Sequence, residues 1–343
     1  MQSPWIRWLL LLWISFSAVS THAADQRFLP MPAVVSEALA KDQEISELMK
    51  SALALWSDEK WPEAASQWEI IFPLVNQKYG RDHILTEVAG AYLGDCLRGR
   101  SDFKLALPLL EGAAISFDRL FGSDQLPTAW VLGALADTYR RLGEFKLALP
   151  LYQRALTIRE KQLGQEHPDT AQSLHGLATN YIQFGEYERA LPILLRALSI
   201  REKTLGPTHQ KTARSLSNLG GIYLSLGQFD KAVELYQRAL AISELNLGQD
   251  HPDVATVMRN LAGTYDSLAQ FDKAVELHQQ ALAISERVSG PTHPNTANHL
   301  NNLAGTFTQL GQLEKALELY RRALQILEKS RGREHLDIAN VTS

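Results

Sequence analysis

Residues 159–170 read REKQLGQEHPDT, and residues 201–212 read REKTLGPTHQKT. The interval is 42 residues, and it runs through the chain. Glycine stands at 80, 122, 164, 206, 248, 290 and 332. Three residues beyond each comes histidine (His83, His167, His209, His251, His293, His335), with Gln125 the exception. A second ladder is Ala64, Ala106, Ala148, Ala190, Ala232, Ala274 and Ala316. A third, three residues earlier, is Trp61, Phe103, Phe145, Tyr187, Phe229 and Phe271, closed by Leu313. Three ladders at one spacing define a repeat array, in which each unit buries its apolar face against its neighbours.

Within a unit the periodicity is helical. Leu132, Leu135, Ala136 and Tyr139 recur on one helical face. Gly143 then ends the run, as Gly185, Gly227 and Gly311 do later, because glycine accepts the positive φ found just past a helix end. A second stripe, Phe145 to Ile158, closes at Leu163-Gly164. Pro168, Pro252 and Pro294 stand where the next helix begins, a place that tolerates the missing N–H. Each unit therefore reads as two antiparallel helices, with small Ala148 and Ala155 allowing close approach. Seven units follow: 42–83 as an atypical cap, 84–124, then five more over 125–335, with 336–343 a truncated start of a further helix. Residues 24–41 read as a linker. In unit two Ser101 replaces the turn glycine, and in unit six Ala269 does. Pro108, Pro150 and Pro192 fall inside second helices, which are expected to start late or bend.

The pattern L-A-x-x-Y-x-x-x-G-x-F-x-x-A-L-x-x-x-x-x-A-L resembles the tetratricopeptide repeat. Stretches such as HLNNLAGTF (299–307) and ALPLYQRALTIREKQLGQEHP (148–168), with the 42-residue period, are similar to the kinesin light chain variety. The resemblance implies an all-α, right-handed superhelical solenoid of about seven helix-turn-helix repeats, with every first helix lining an inner wall. In kinesin light chains inward asparagines hold an extended cargo peptide, and the resemblance carries that role to Asn218, Asn260 and Asn302.

Composition sets outer bounds. The chain has 343 residues, 45% hydrophobic and 21% charged, with a net charge of −4, so no basic field advertises nucleic acid. MQSPWIR, the apolar run WLLLLWISFSAV (8–19) and the small-residue stretch STHAAD have the layout of a secretory signal over 1–23, cleaved after Ala23 or after Ser20. The expected destination is the periplasm or the exterior. A membrane enters only if 8–19 stays as an anchor. The single Cys96 forms no intramolecular disulfide and reads as a buried structural thiol.

Function is sought on the first-helix stripe opposite the core, since residues free of packing can diverge for binding. The candidate partner contacts are Arg140, Arg141, His175, Arg214, Asn218, Arg259, Asn260, Asn298, Asn301 and Asn302. The carboxamides can donate to and accept from a peptide backbone. Gly221, Gly263 and Gly305 leave the floor open. Four arginines against Asp137 and Asp266 on this face favour an acidic or carboxylate-terminated guest. The histidine ladder cannot share a metal. Ligands sit about 2 Å from an ion, whereas equivalent positions on stacked helices lie on the order of 10 Å apart. The histidines are expected to cap or pack against the loops. No GxSxG, HExxH, CxxC or phosphate loop appears, and no cofactor is implied. The reading is a non-catalytic scaffold for a protein or peptide ligand. Its rival is a self-assembling structural protein whose uncapped last repeat docks onto another copy as a homo-oligomer.

Overall fold

The computed structural model describes residues 32–331. The signal-like segment, Gly332, His335 and the stretch 336–343 lie outside the described residues. Fifteen α-helices and no strands occur among the described residues. The chain divides into two compact units, ending and beginning at Leu142 and Gly143. The first holds α1 (Ala33–Leu39), α2 (Gln43–Ser57), α3 (Trp61–Tyr79), α4 (Ile84–Gly99), α5 (Phe103–Phe121) and α6 (Leu126–Arg141). The second holds α7 (Phe145–Leu163), α8 (Pro168–Gln183), α9 (Tyr187–Thr204), α10 (Gln210–Ser225), α11 (Phe229–Leu247), α12 (Pro252–Ser267), α13 (Phe271–Val288), α14 (Pro294–Gln309) and α15 (Leu313–Arg331). The stretch expected as a linker thus contains a helix. Its Val35 is fully buried, and α1 packs against α4.

The turn inside each hairpin explains why the register holds. In α8–α9 the Glu186 N–H reaches back to the Tyr181 carbonyl at 3.0 Å and Gly185 N–H to Ile182 at 3.0 Å, a Schellman closure. The same six-residue bond joins Asp102 to Leu97, Gln228 to Tyr223, Gln270 to Tyr265 and Gln312 to Phe307. The residue at the bend has positive φ whatever its identity: Glu59 at 57°, Ser101 at 73° and Ala269 at 55° stand where glycine stands elsewhere. Packing of the hairpin enforces the conformation that the side chain disfavours.

The histidine ladder closes the other end of each unit. His83, His167, His209, His251 and His293 are N-cap residues, and each Nδ1 accepts the backbone N–H two residues on, at 3.0–3.2 Å. This satisfies a donor that the first helical turn leaves open. A threonine ladder works beside it. The hydroxyls of Thr86, Thr128, Thr170, Thr212 and Thr296 donate to the carbonyls of Gly80, Gly122, Gly164, Gly206 and Gly290 at 2.8–3.0 Å. Val254 breaks the series.

The second helices neither start late nor avoid their prolines. They begin at Phe103, Phe145 and Tyr187 and run through Pro108, Pro150 and Pro192. The carbonyls those prolines leave without a donor belong to Lys104, Lys146 and Glu188, all exposed, so water can serve them. The alanine ladder is the contact line, fully buried from Ala64 to Ala274. Consecutive second helices are laced by Arg196–Glu160 at 2.6 Å, Arg238–Glu202 at 2.6 Å and Arg322–Glu286 at 2.5 Å. In the first unit Cys96 is fully buried, and burial with Asp95 beside it pushes its thiol pKa up, as suits an inert thiol.

Candidate functional site

The ten candidate residues fall into distinct settings. In the first unit, Arg140 is half-buried and bonds Asp137 at 3.4 Å. Arg141 is exposed and lies over the Phe103 ring at 5.5 Å. The other eight belong to the second unit.

On α8 and α10 the polar face is knitted to itself. Arg201, 2% exposed, donates to His175 Nδ1 at 3.1 Å, to Ser215 Oγ at 2.8 Å, to the Lys211 carbonyl at 3.0 Å and to Gln172 Oε1 at 2.9 Å. Burial, with Arg214 nearby, lowers its pKa to about 10; at neutral pH it remains a donor only. His175 Nδ1 therefore accepts, and a neutral ring then donates at Nε2, which lies 3.3 Å from the Asn218 amide. That pairing requires the amide oxygen on the histidine side and frees the NH2 group from it. Thr179 Oγ1 donates to the His175 carbonyl at 2.8 Å. Asn218 is thus braced internally. Arg214 is exposed and reaches Asp253 at 3.4 Å. Gly176, next to His175 on α8, is buried: a Cβ there would lie 2.5 Å from the Tyr152 ring.

Around α12 and α14 the face opens. A cavity of about 460 Å³ is bordered by Arg259, Asn260, Gly263, Asp266, Asn301, Asn302 and Gly305 from the first helices, with Tyr236, His278 and Tyr320 from the second helices behind them. The open floor is real at Gly263, where an added Cβ meets nothing within 4 Å. Asn260 and Asn302 are half-buried, and their amides make no side-chain hydrogen bond within the described residues. Arg259 is half-buried, and burial lowers its pKa. Among the described residues its guanidinium has neither an ion pair nor a hydrogen bond. It also borders a smaller cavity of about 190 Å³ with Asn298, which is exposed, and His299. The structure thus brings Arg259, Asn260, Asn301 and Asn302 together and sets Asn298 beside them.

Sequence reasoning missed Arg201 and His278 as functional neighbours and left Asp266 out of the contact set. A signal existed for the histidine. Its register runs Trp68, Leu110, Tyr152, Leu194, Tyr236, His278, Tyr320, so an ionisable ring interrupts an otherwise aromatic or leucine series. No group of three or more His, Cys, Asp or Glu side chains able to hold a metal occurs among the described residues.

Hairpins of first and second helices succeeding one another at a fixed interval define an α-helical repeat protein. The tetratricopeptide repeat family model matches residues 87–161, 135–203, 169–244, 211–287 and 253–329. The chain belongs to the tetratricopeptide repeat family. Similar solved structures include a putative kinesin light chain repeat protein from Podospora anserina, at 30% identity over 59% of this chain and 95% of that one, with a TM-score of 0.52. Another is BtubC (BKLC) from P. vanneervenii, at 25% identity over 68% and 92%, with a TM-score of 0.55. The apo form of RapI, at 16% identity over 83% and 98% and a TM-score of 0.63, shares the fold. No curated protein matches in sequence.

Proposed function

We propose that the chain is a non-catalytic scaffold that grips an extended segment of a partner protein along the first-helix face of its second unit. An acidic group of that segment pairs with Arg259, while Asn260 and Asn302 bond its backbone. Arg259 carries the reading. A half-buried guanidinium with no anion and no acceptor is desolvated without compensation, and a carboxylate arriving from a partner would supply both. The two asparagines beside it hold their donors and acceptors ready. Export to the periplasm or the exterior is part of the proposal and rests on residues 1–23.

The test is affinity capture from envelope and culture fluid. Wild type is compared with a variant combining Arg259→Gln, Asn260→Ala and Asn302→Ala, and captured segments are crosslinked to map them. The expected result is a partner held by wild type, crosslinked to α12 and α14, and lost from the variant. An unchanged set of captured proteins would overturn the groove reading. Export is checked by sequencing the mature N-terminus, expected at Ala24 or Thr21; a chain recovered with residues 1–20 intact in the cytosol refutes it.

A further inference from the structure

The large cavity holds an acid as well as a base, and the acid is incompletely served. Asp266 on α12 accepts from Thr306 Oγ1 at 3.0 Å and faces His278 Nε2 at 3.3 Å, both through Oδ2. Its other oxygen, Oδ1, is buried and has no partner. A carboxylate can only accept, so His278 Nε2 carries the proton toward Asp266. In the neutral ring Nδ1 is then a bare acceptor. His278 is 2% exposed, and this Nδ1 is likewise buried without a partner. Asn301 adds a third case, its Oδ1 buried and unbonded. All three residues border the same cavity of about 460 Å³. Buried polar atoms in native proteins are bonded in the great majority of cases, and exceptions cluster where water or a ligand completes the set.

The missing complement is a donor. We infer that the partner segment places a basic side chain, a lysine ammonium or an arginine guanidinium, on Asp266, His278 and Asn301. This rests on the groove reading above and narrows it: the guest is a segment of mixed charge rather than a uniformly acidic one. Arg259 and Asp266 are seven residues apart on one helix, about 10 Å along its axis. No ion pair joins them, so neither charge cancels the other. A guest with an acid toward Arg259 and a base toward Asp266 answers both and leaves no unmatched charge in the cavity. A basic side chain offers N–H donors and no acceptor, and the unpartnered atoms of these three residues are acceptors.

The experiment selects random peptides displayed on phage against the full-length protein, in wild type and Asp266→Asn. The substituted amide keeps an oxygen for Thr306 and removes the charge, and thermal melting confirms that the variant is folded. The expected result is a fixed-position enrichment of Lys or Arg with wild type that Asp266→Asn abolishes. The best peptide should weaken about tenfold or more when its basic residue becomes methionine. That peptide substitution should cost little further against Asp266→Asn, a cycle that a merely structural aspartate would not produce. Because it is read on the wild-type protein, the peptide substitution also stands if the variant melts poorly. Selected peptides without a fixed basic residue, or with one that Asp266→Asn holds equally well, overturn the inference and leave the groove reading standing. Failure of wild type to select any peptide above display background overturns both.

Discussion

His299 on α14 offers a quantitative test of how the wall beneath the groove is built. The side chain is 7% exposed, and its Nδ1 is buried without a partner. Burial first, then the charges of Arg259 and His278, push its pKa down to about 4. In the unfolded chain the ring returns to about 6.5. The unfolded state therefore takes up a proton as pH falls through about 6.5, while the folded state refuses it until about 4. Stability present above about 6.5 is lost progressively across that window, with the unfolded state binding the extra proton. At about 1.36 kcal/mol per pKa unit the full effect is about 3 kcal/mol. Because members of a repeat array unfold semi-independently, the clean readout is local: amide hydrogen exchange across α12–α15 at several pH values between about 4 and about 7. His299→Gln keeps a polar side chain of similar reach and removes the titration. Wild type should lose about 3 kcal/mol more protection than the variant over the window, and the His299 ring signal should titrate near 4 by NMR. Parallel pH curves for the two proteins, or a ring midpoint near 6.5, would refute the burial-plus-Arg259 argument.

Three further outcomes follow from the ladders. Val254→Thr should restore the hydroxyl bond to the Gly248 carbonyl and raise stability, while Thr212→Val should lower it, each by about 1 kcal/mol in urea denaturation. Equal and opposite signs matter here, because two losses would show that the ladder is incidental. Ala269→Gly should stabilise by about 0.5 kcal/mol, since the left-handed penalty on alanine at φ 55° outweighs glycine's extra unfolded-state entropy; a drop in melting temperature would contradict this. In the first unit, bonds from Lys78 and then Tyr79 hold Asp42 at about 2, well below its usual carboxylate value. Its contribution is present above about 4 and lost as pH falls toward 2. Asp42→Asn should flatten the acid limb of the first unit's melting profile, and an unaltered limb would refute the pairing.

The described hairpins follow the 42-residue interval, because helix ends are fixed by local chemistry. Glycine or its left-handed substitute bends the chain, histidine caps the next helix, and the alanine line tolerates only a small side chain. Two features escaped for physical reasons. Helix α1 has a single buried side chain, Val35, and lies before the register begins, so no periodicity marks it. Pro108, Pro150 and Pro192 do not delay the helices that carry them. A proline on the outer face frees a carbonyl that water can satisfy, and the helix continues through it.

The site was legible to a lesser degree, and the residues show why. The premise that packing repeats while binding varies picks out Arg259, Asn260, Asn301 and Asn302, which border one cavity. It also picks out Asn218, whose setting differs, because variation on one helix can answer variation on the next. His175 and Asn218 face each other across adjacent hairpins, and Arg201 behind them fixes the proton on the ring. A one-dimensional register cannot distinguish a residue that varies to meet a guest from one that varies to meet its neighbour. What distinguishes them is whether the hydrogen-bond accounts close. Arg201 and Asn218 serve both ring nitrogens of His175, whereas Arg259, Asp266 Oδ1 and His278 Nδ1 have no partner among the described residues. Difference from the repeat is therefore a pointer to function only where the structure leaves the differing group unserved, and in this chain that condition is met around α12–α15.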